Sequence, residues 1–197
     1  MRVLMIYCHP RDDSLSAALR DATRESLEAA GHRVDLRDLY AEGFQPALSA
    51  EERCVYHDVA DNLIGVQDHA DSLRAADALV LVYPTWWYGM PAMLKGWFDR
   101  VWAPGVAFKL GEGAIEPLLT NIRRIAVVTT YGSPTWLLWY IGRIDRKLLG
   151  RGIRRLCARD CKVEWVTLTR MDHRTREECA TFVDKVRRHF ARWQVSR

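Results

Sequence analysis

Residues 78–91 of this 197-residue chain read ALVLVYPTWWYGMP. The first five are aliphatic, and such a run is typical of a strand that is covered on both faces of a sheet. Three adjacent aromatic residues then follow between Pro84 and Pro91. Aromatic side chains normally bury large areas, so a loop that holds three of them is expected to form the wall of a site. Because ligands of open α/β sheets bind at the carboxyl ends of the strands, the stretch predicts a planar, partly apolar ligand against this loop.

Similar apolar runs lie on both sides of this stretch. Arg2–Tyr7 and Arg124–Thr130 are nearly continuous, and shorter strand patterns occur from Val34 to Leu39 and over Lys162–Leu168. Strands that alternate with helical patterns imply a parallel sheet with right-handed crossovers. The sequence therefore predicts one α/β domain over residues 1–197, with a doubly wound, five-stranded parallel sheet in the order 2-1-3-4-5.

Helical spacing of apolar residues places the connecting helices. Helices are expected over about residues 15–30 and 61–75, from Pro91 to about Val101, and in places over 136–156. A terminal helix carries a stripe of Phe182, Val186, Phe190 and Trp193. Residues 40–61 are expected to be irregular, and residues 103–121 form a long excursion.

Composition restricts the class of protein. Hydrophobic residues make up 49% of the chain and charged residues 27%, as is usual for a globular domain. No window has the roughly 20 apolar residues of a membrane span, and no basic motif with interleaved aromatics favours nucleic acid. The five cysteines lack metal-ligand spacing. We therefore expect no metal site, reduced thiols and a cytoplasmic location.

The net charge of +4 is unevenly distributed. Residues 136–163 carry eight basic and two acidic side chains, whereas residues 1–135 carry more acidic than basic ones. The basic segment could attract an anionic ligand or a membrane surface. A solvated helix face is the simpler interpretation.

Three loops are expected to meet at the carboxyl edge of the sheet, over residues 9–16, 84–89 and 129–133. In the first, His9 and the hydroxyls of Ser14 and Ser16 lie at a helix start, where free N–H groups attract a phosphate. The alternative makes either serine a plain N-cap and His9 a solvated residue.

The second loop offers backbone N–H groups between Thr85 and Tyr88 to the edge of a flat ring, with Trp87 and Tyr88 against its face. The third supplies the hydroxyls of Thr129 and Thr130. Alternatively, the aromatic residues of the second loop could fill a hydrophobic gap or form a dimer contact. The third loop could be an ordinary connection that leaves a strand. The chain has no glycine-rich nucleotide fingerprint, and flavin is a common flat heterocycle with a phosphate tail.

The sequence resembles the flavodoxin-like NAD(P)H:quinone oxidoreductases, a family that includes modulator-of-drug-activity proteins and the ancillary oxidoreductases of potassium efflux systems. The resemblance covers roughly residues 1–135. The residues that carry it are His9-Pro10, Ser14, Ser16, Asp38-Leu39-Tyr40, Phe44, Pro46, Ala76-Asp77, Pro84, Trp87-Tyr88-Gly89, Pro91, residues 94–101 (LKGWFDRV), Gly105, Ala107-Phe108 and Thr129-Thr130.

The resemblance implies a flavodoxin-like fold, a bound flavin, NAD(P)H as electron donor and a homodimer. It implies that the first loop holds the flavin phosphate and that the other two hold the isoalloxazine ring. The expected cofactor-binding residues are His9, Ser14, Leu15, Ser16, Pro84, Thr85, Trp86, Trp87, Tyr88, Thr129, Thr130, Tyr131 and Gly132. Trp97, Trp102 and the 103–121 excursion are expected at the dimer contact.

The chain departs from the family pattern after Thr130. Tyr131 stands where the family has the first of two glycines, and residues 133–140 contain no histidine. Quinone reductases of the FAD-binding type place a tyrosine and then a histidine near the hydride acceptor in this region. Tyr131 or Tyr140 could substitute here as a catalytic hydrogen-bond donor. In FAD-binding members of the family an arginine contacts the adenine. That position falls near Ala180 in this chain, with no arginine there, which favours FMN over FAD.

These features predict a flavin-dependent NAD(P)H oxidoreductase that reduces a quinone or another flat aromatic acceptor by hydride transfer. The acceptor slot is expected between Trp86, Trp87, Trp136, Trp139 and Tyr140. Two alternatives remain open: a regulatory or electron-carrying flavoprotein without turnover, and an aromatic loop filled by its own side chains without cofactor.

Overall fold

The computed structural model describes residues 1–111 and 113–193. The strands in chain order are β1 (Arg2–Tyr7), β2 (Arg33–Asp38), β3 (Ala78–Pro84), β4 (Phe108–Leu110), β5 (Ile115–Pro117), β6 (Arg124–Thr130) and β7 (Lys162–Leu168). β2, β1, β3, β6 and β7 pair in that order as a parallel sheet. This confirms the predicted order 2-1-3-4-5, because β4 and β5 form a separate antiparallel hairpin.

The helices are α1 (Leu15–Ala29), α2 (Ala50–Val55), α3 (Gln67–Ala75), α4 (Ala92–Val101), α5 (Thr135–Ile141), α6 (Ile144–Lys147) and α7 (Arg176–Phe190). A π-helical turn (Leu148–Gly152) and a 3₁₀ turn (Ile153–Leu156) follow α6, and a 3₁₀ turn (Met171–His173) precedes α7. Within the described residues, none of these helices is long and apolar enough to cross a membrane.

Helices cover both faces of the sheet, which explains the continuous apolar strands. Alternate side chains point to opposite faces: Leu79 and Leu81 of β3 pack in the layer that contains α3 and α4. Val80 and Val82 pack in the layer that contains α1 and α7. Because both faces of the sheet are buried, polar groups that could bind a ligand are found at the ends of the strands.

The segment between β2 and α3 differs from the sequence expectation. Residues 50–55 form a short helix instead of irregular chain, because Ser49 and Glu52 make a capping box. The next helix begins at Gln67 and not near Asp61. Residue Asn62 is buried and donates from Nδ2 to the carbonyls of Tyr56 and Pro104, at 3.0 and 2.9 Å.

The two tryptophans near the excursion also differ from expectation. Trp97 and Trp102 are buried, at 0% and 5% exposure, in the core of one chain. The prediction that they lie at a dimer contact is therefore wrong, because the other side chains of α3 and α4 already cover them. At the other end of the chain, Trp193 lies beyond the end of α7 yet remains buried.

Helix α4, which starts two residues after Met90 of the aromatic loop, is held firmly. A Cβ at Gly96 would lie 2.2 Å from the carbonyl oxygen of Pro46, so only glycine permits this approach. Four residues on, Arg100 pairs with Glu52 at 2.5 Å and donates to the carbonyls of Gln45 and Ile64. These contacts fix α4 and with it one end of the aromatic loop.

Candidate functional site

The aromatic loop forms a two-residue hairpin turn at the end of β3. The N–H of Trp86 donates to Gly89 O at 3.1 Å, and the N–H of Gly89 donates back to Trp86 O at 3.0 Å. Trp87 and Tyr88, at the tip, have φ of 49° and 62°. Turns of this kind normally use Asn-Gly, because a Cβ disfavours positive φ. Two large aromatic residues in this conformation indicate a functional constraint on the loop.

The base of the turn is anchored to the third loop. The N–H of Thr85 donates to Thr130 O at 2.9 Å, and the hydroxyls of Thr85 and Thr129 are 2.9 Å apart. Thr85 and Trp86 therefore use their N–H groups within the protein. Of the four donors expected from residues 85–88, only those of Trp87 and Tyr88 have no protein acceptor among the described residues.

A fourth loop, which the sequence analysis did not include, closes the site from the end of β7. Arg170 N–H donates to Ser133 O at 3.2 Å, and Met171 N–H donates to Tyr131 O at 3.0 Å. A Cβ at Gly132 would lie 2.5 Å from Asp172 Oδ2, so the two loops are in close contact. The available signal was the position of residues 169–173 at the carboxyl end of a parallel strand, the same edge as the other loops.

These loops enclose two adjoining parts of one cleft, of about 440 Å³ and 300 Å³. Both parts are lined by Thr85, Trp87, Gly132 and Asp172. The first is completed by Pro84, Trp86, Thr130 and Met171, and the second by Tyr88, Tyr131, Ser133 and Leu138. The volumes fall within the range of about 300–1,000 Å³ that small-molecule sites occupy.

The first loop lies beside the aromatic loop. The ring of His9 is 6.4 Å from that of Trp86, and its Nδ1 accepts from Arg11 N–H at 3.1 Å. Ser14 is the N-cap of α1, since its Oγ accepts from Ala17 N–H at 3.1 Å. Ser16 is buried at the start of α1, next to Leu15. The first N–H groups of α1 have no partner inside the helix.

The acidic residues of this loop are paired. Asp13 binds Arg11 at 2.6 Å, and Asp12 lies 3.4 Å from Arg20. The pairing reduces the repulsion that Asp12 and Asp13 would exert on an anion at α1. It also engages the Arg11 guanidinium, so the remaining donors are the α1 backbone, Ser16 and His9.

Tyr131 separates the cleft from a small polar cavity. Its hydroxyl donates to Asp145 Oδ2 at 2.5 Å, and both side chains are buried. Burial, together with the hydrogen bond to Asp145, raises the pKa of Tyr131. The hydroxyl thus stays protonated and engaged with Asp145, while Tyr131 lines the cleft.

Helix α5 contributes one side chain, Leu138, to the cleft. Trp136, Trp139 and Tyr140 are 67%, 66% and 85% exposed and are not among the residues that line it. Their positions do not match the expectation that they form the acceptor slot, nor the expectation that Tyr140 acts as a donor there. The helix turns these three side chains outward.

Comparison with known proteins agrees with this geometry. The family described as having a flavodoxin-like fold matches residues 1–190. The chain belongs to this family. The match confirms the fold and the family resemblance that the sequence predicted.

Curated relatives carry oxidoreductase names. An uncharacterized NAD(P)H oxidoreductase of Haemophilus influenzae is 36% identical over 136 residues, which are 68% of this chain and 65% of that protein. The uncharacterized NAD(P)H oxidoreductase YcaK of Escherichia coli is 36% identical over 129 residues, which are 64% of each chain. The chain thus spans just under two thirds of the length of these relatives.

Solved structures match over nearly the whole chain. An NAD(P)H:quinone oxidoreductase from Methanothermobacter marburgensis is 28% identical, with a TM-score of 0.84, and the match covers 98% of this chain and 99% of that one. The Smu.1420 protein from Streptococcus mutans is 29% identical, with a TM-score of 0.86, over 97% and 99% of the chains.

Proposed function

We propose that this protein is a flavin-dependent NAD(P)H oxidoreductase that reduces a quinone or a similar flat aromatic acceptor. The observation that carries the proposal is the strained Trp87–Tyr88 turn at a cleft between the ends of β3, β6 and β7. The N–H groups of both residues have no acceptor within residues 1–111 and 113–193. The names of the relatives support the reaction class.

The residues of the cleft fit a flavin. A flat ring needs an open slot with donors at one edge, and the cleft offers both through Trp87 and Tyr88. A phosphate needs unpaired donors, and the start of α1 supplies them beside Ser16 and His9. The contact between His9 and Trp86 places the two parts side by side.

Each part of the protein has a separate task in this proposal. The N–H groups of Trp87 and Tyr88 would face the polar edge of the ring and stabilise negative charge there, as preorganised donors do. Thr85 fixes the turn against Thr129 and Thr130. Bound flavin supplies the hydride chemistry, which protein side chains do not provide.

Tyr131 serves as a positioning residue in this scheme. Its hydroxyl is bound to Asp145, so it holds the third loop against the start of α6. Met171 N–H and the close approach of Asp172 to Gly132 hold the same loop from the other side. Together these contacts would keep the walls of the cleft at a fixed separation.

We further propose FMN in preference to FAD, since the position of the adenine-contacting arginine of FAD-binding members falls near Ala180 on α7, where this chain has no arginine. A homodimer and a cytoplasmic location belong to the same proposal. The exposed apolar residues of the β4–β5 hairpin, Leu110 and Ile115, are the contacts that would join two copies.

The test is to purify the protein, release and identify any bound flavin by mass, and measure NADH and NADPH oxidation with a quinone and a nitroaromatic. We expect FMN and turnover with at least one acceptor. Bound flavin without turnover would support the regulatory or carrier alternative. Absence of flavin binding even after incubation with FMN and FAD would support an aromatic loop without cofactor.

A further inference from the structure

An exposed aromatic face on α5 lies outside the proposed flavin site. Trp136, Trp139 and Tyr140 are spaced i, i+3 and i+4, so they share one side of the helix. Ile144 and Leu148 are also exposed, at 54% and 40%, in α6 and the turn after it, beyond the backbone break that Gly142 and Arg143 make with φ of 91° and 47°. We call these five residues the α5–α6 face. Soluble proteins rarely expose so many large apolar residues together without an interaction partner.

Basic side chains interleave with this face. The guanidinium of Arg143 lies 4.1 Å from the centre of the Trp139 ring. Lys147 Nζ would be 3.0 Å from a Cβ at Gly142, so Lys147 folds back against the end of α5. Arg151 is exposed in the π-helical turn that follows. Positive charge therefore borders the aromatic rings directly.

Little negative charge offsets these groups. Residues 136–163 hold eight basic and two acidic side chains. Asp145 is buried against Tyr131 and Asp160 is exposed in the turn before β7. The exposed charge of the segment is thus strongly positive, and its natural counterpart is an anionic surface.

We propose that the α5–α6 face binds an anionic lipid surface. Tryptophan and tyrosine prefer the boundary between headgroups and acyl chains, and Lys and Arg beside them attract anionic headgroups. Charge favours this partner over a second copy of the chain, because two copies of the face would bring like charges together. An anionic lipid surface would thus both bury the aromatic rings and pair with the basic side chains.

The α5–α6 face lies next to the cleft, so lipid binding would bring the cleft close to the membrane. This step rests on the proposed function. Leu138, which lies between Trp136 and Trp139 in sequence, lines the cleft. Trp87, 97% exposed, stands at the same cleft. A helix is about 10 Å across, so a docked α5 would hold the cleft that close to the headgroups. The acceptor class this favours is a lipid-soluble quinone.

The experiment is co-sedimentation of the full chain with vesicles of phosphatidylcholine alone or mixed with phosphatidylglycerol. We expect binding to the mixed vesicles only, and weaker binding as salt is raised. Lys147→Ala with Arg151→Ala should weaken binding roughly thirtyfold, since each basic residue near such a surface contributes about a fivefold factor. Lys185→Ala with Arg188→Ala on α7 removes the same charge and should have little effect.

A second variant separates lipid binding from self-association. Trp136→Ser with Trp139→Ser should keep the thermal stability and the sedimentation coefficient of the parent, because both side chains are largely exposed, yet lose vesicle binding at least tenfold. Equal binding of the parent to neutral and anionic vesicles, or none to either, would overturn the proposal. So would dissociation of a dimer by this variant, which would identify the face as a contact between copies.

The vesicle assay needs no electron donor or acceptor. Failure of vesicle binding with normal NAD(P)H turnover would therefore reject the lipid surface and leave the proposed reaction standing. Vesicle binding without turnover would support the lipid surface and reject the proposed reaction.

Discussion

Trp87 is held in a backbone conformation that its own side chain opposes. Its φ is 49° and the side chain is 97% exposed, so packing against the described part of the chain does not offset the conformational cost. A residue with a Cβ loses about 1–2 kcal/mol in this region, and asparagine tolerates it far better. The strain is stored in the turn that presents the two free N–H groups.

Replacing Trp87 by asparagine should therefore stabilise the ligand-free protein by about 1 kcal/mol. Urea unfolding of the flavin-free chain would measure this free energy. Trp87→Ala is the matched control, because it removes the same exposed ring but lacks the short polar side chain that lets asparagine tolerate positive φ. Equal stability of the two variants would contradict the strain that the geometry indicates.

Gly132 lies where the third and fourth loops touch. A Cβ there would be 2.5 Å from Asp172 Oδ2, so Gly132→Ala must displace the carboxylate. Because Asp172 is exposed and Oδ2 is the far end of its side chain, the carboxylate can rotate away, and we expect a loss of only about 0.5 kcal/mol of stability. We also expect weaker FMN binding, because the displaced carboxylate lines the cleft. Thermal unfolding and fluorescence titration with FMN would measure the two effects.

The double variant Gly132→Ala with Asp172→Ala tests the cause. Shortening Asp172 removes the clashing oxygen, so most of the lost stability should return even if affinity does not. No recovery of stability would show that the added methyl disturbs a contact other than Asp172.

At the scale of elements, His69 joins α3 to α4. Its Nδ1 accepts from Trp97 Nε1 at 3.3 Å, and its Nε2 is 3.2 Å from Glu42 Oε2. Burial, with a smaller contribution from Arg37, lowers the pKa of His69 to about 4. The ring is therefore neutral, with its proton on Nε2 towards Glu42, and burial raises the pKa of Glu42.

This pKa makes the packing of α3 on α4 sensitive to acid. An unfolded histidine has a pKa of about 6.5, so between about pH 6.5 and 4 the unfolded chain binds a proton that the folded chain does not. Stability that is complete above pH 6.5 should be lost as the pH falls to about 4, by up to roughly 3 kcal/mol.

The measurement is urea unfolding across that pH range for the parent and for His69→Gln. The variant should be less stable at neutral pH but should lose less on acidification. Glu42→Gln serves as a control for the neighbouring carboxyl, whose raised pKa acts in the opposite direction. Parallel curves for the parent and His69→Gln would contradict the assignment.

At the scale of the whole molecule, two apolar layers sandwich the sheet, and the β4–β5 hairpin stands outside both. Leu110 and Ile115 are 53% and 57% exposed, while Phe108 at the base of the hairpin packs against the core. The hairpin can therefore change on its outer surface without disturbing the sheet.

We expect Leu110→Ser with Ile115→Ser to leave the thermal stability of the monomer within about 0.5 kcal/mol, as exposed substitutions usually do. If the hairpin joins two copies, the same change should shift the dimer towards monomer by at least tenfold in dissociation constant. Sedimentation velocity over a concentration series would measure it. An unchanged dimer would place the contact elsewhere.

The pattern of apolar runs is enough to predict the order of the sheet and the edge at which the candidate site lies. Three nearly continuous apolar runs and two shorter strand patterns indicate five strands, and their alternation with helices leaves few topologies. The aromatic loop after β3 then lies at a carboxyl edge whatever the details of packing. Sequence reasoning also located the loops after β1 and β6, because hydroxyl-rich segments follow those strands.

The direction in which individual side chains face depends on packing between elements that are distant in sequence. Trp97 and Trp136 are equally apolar in sequence, yet one is buried and the other exposed, because the rotation of each helix depends on what it packs against. The hydrogen bond between Tyr131 and Asp145, the contact of Asp172 with Gly132, and the use of the Thr85 N–H by Thr130 each join loops that the sequence separates. Such pairings arise when the sheet brings strand ends together, so no local pattern encodes them.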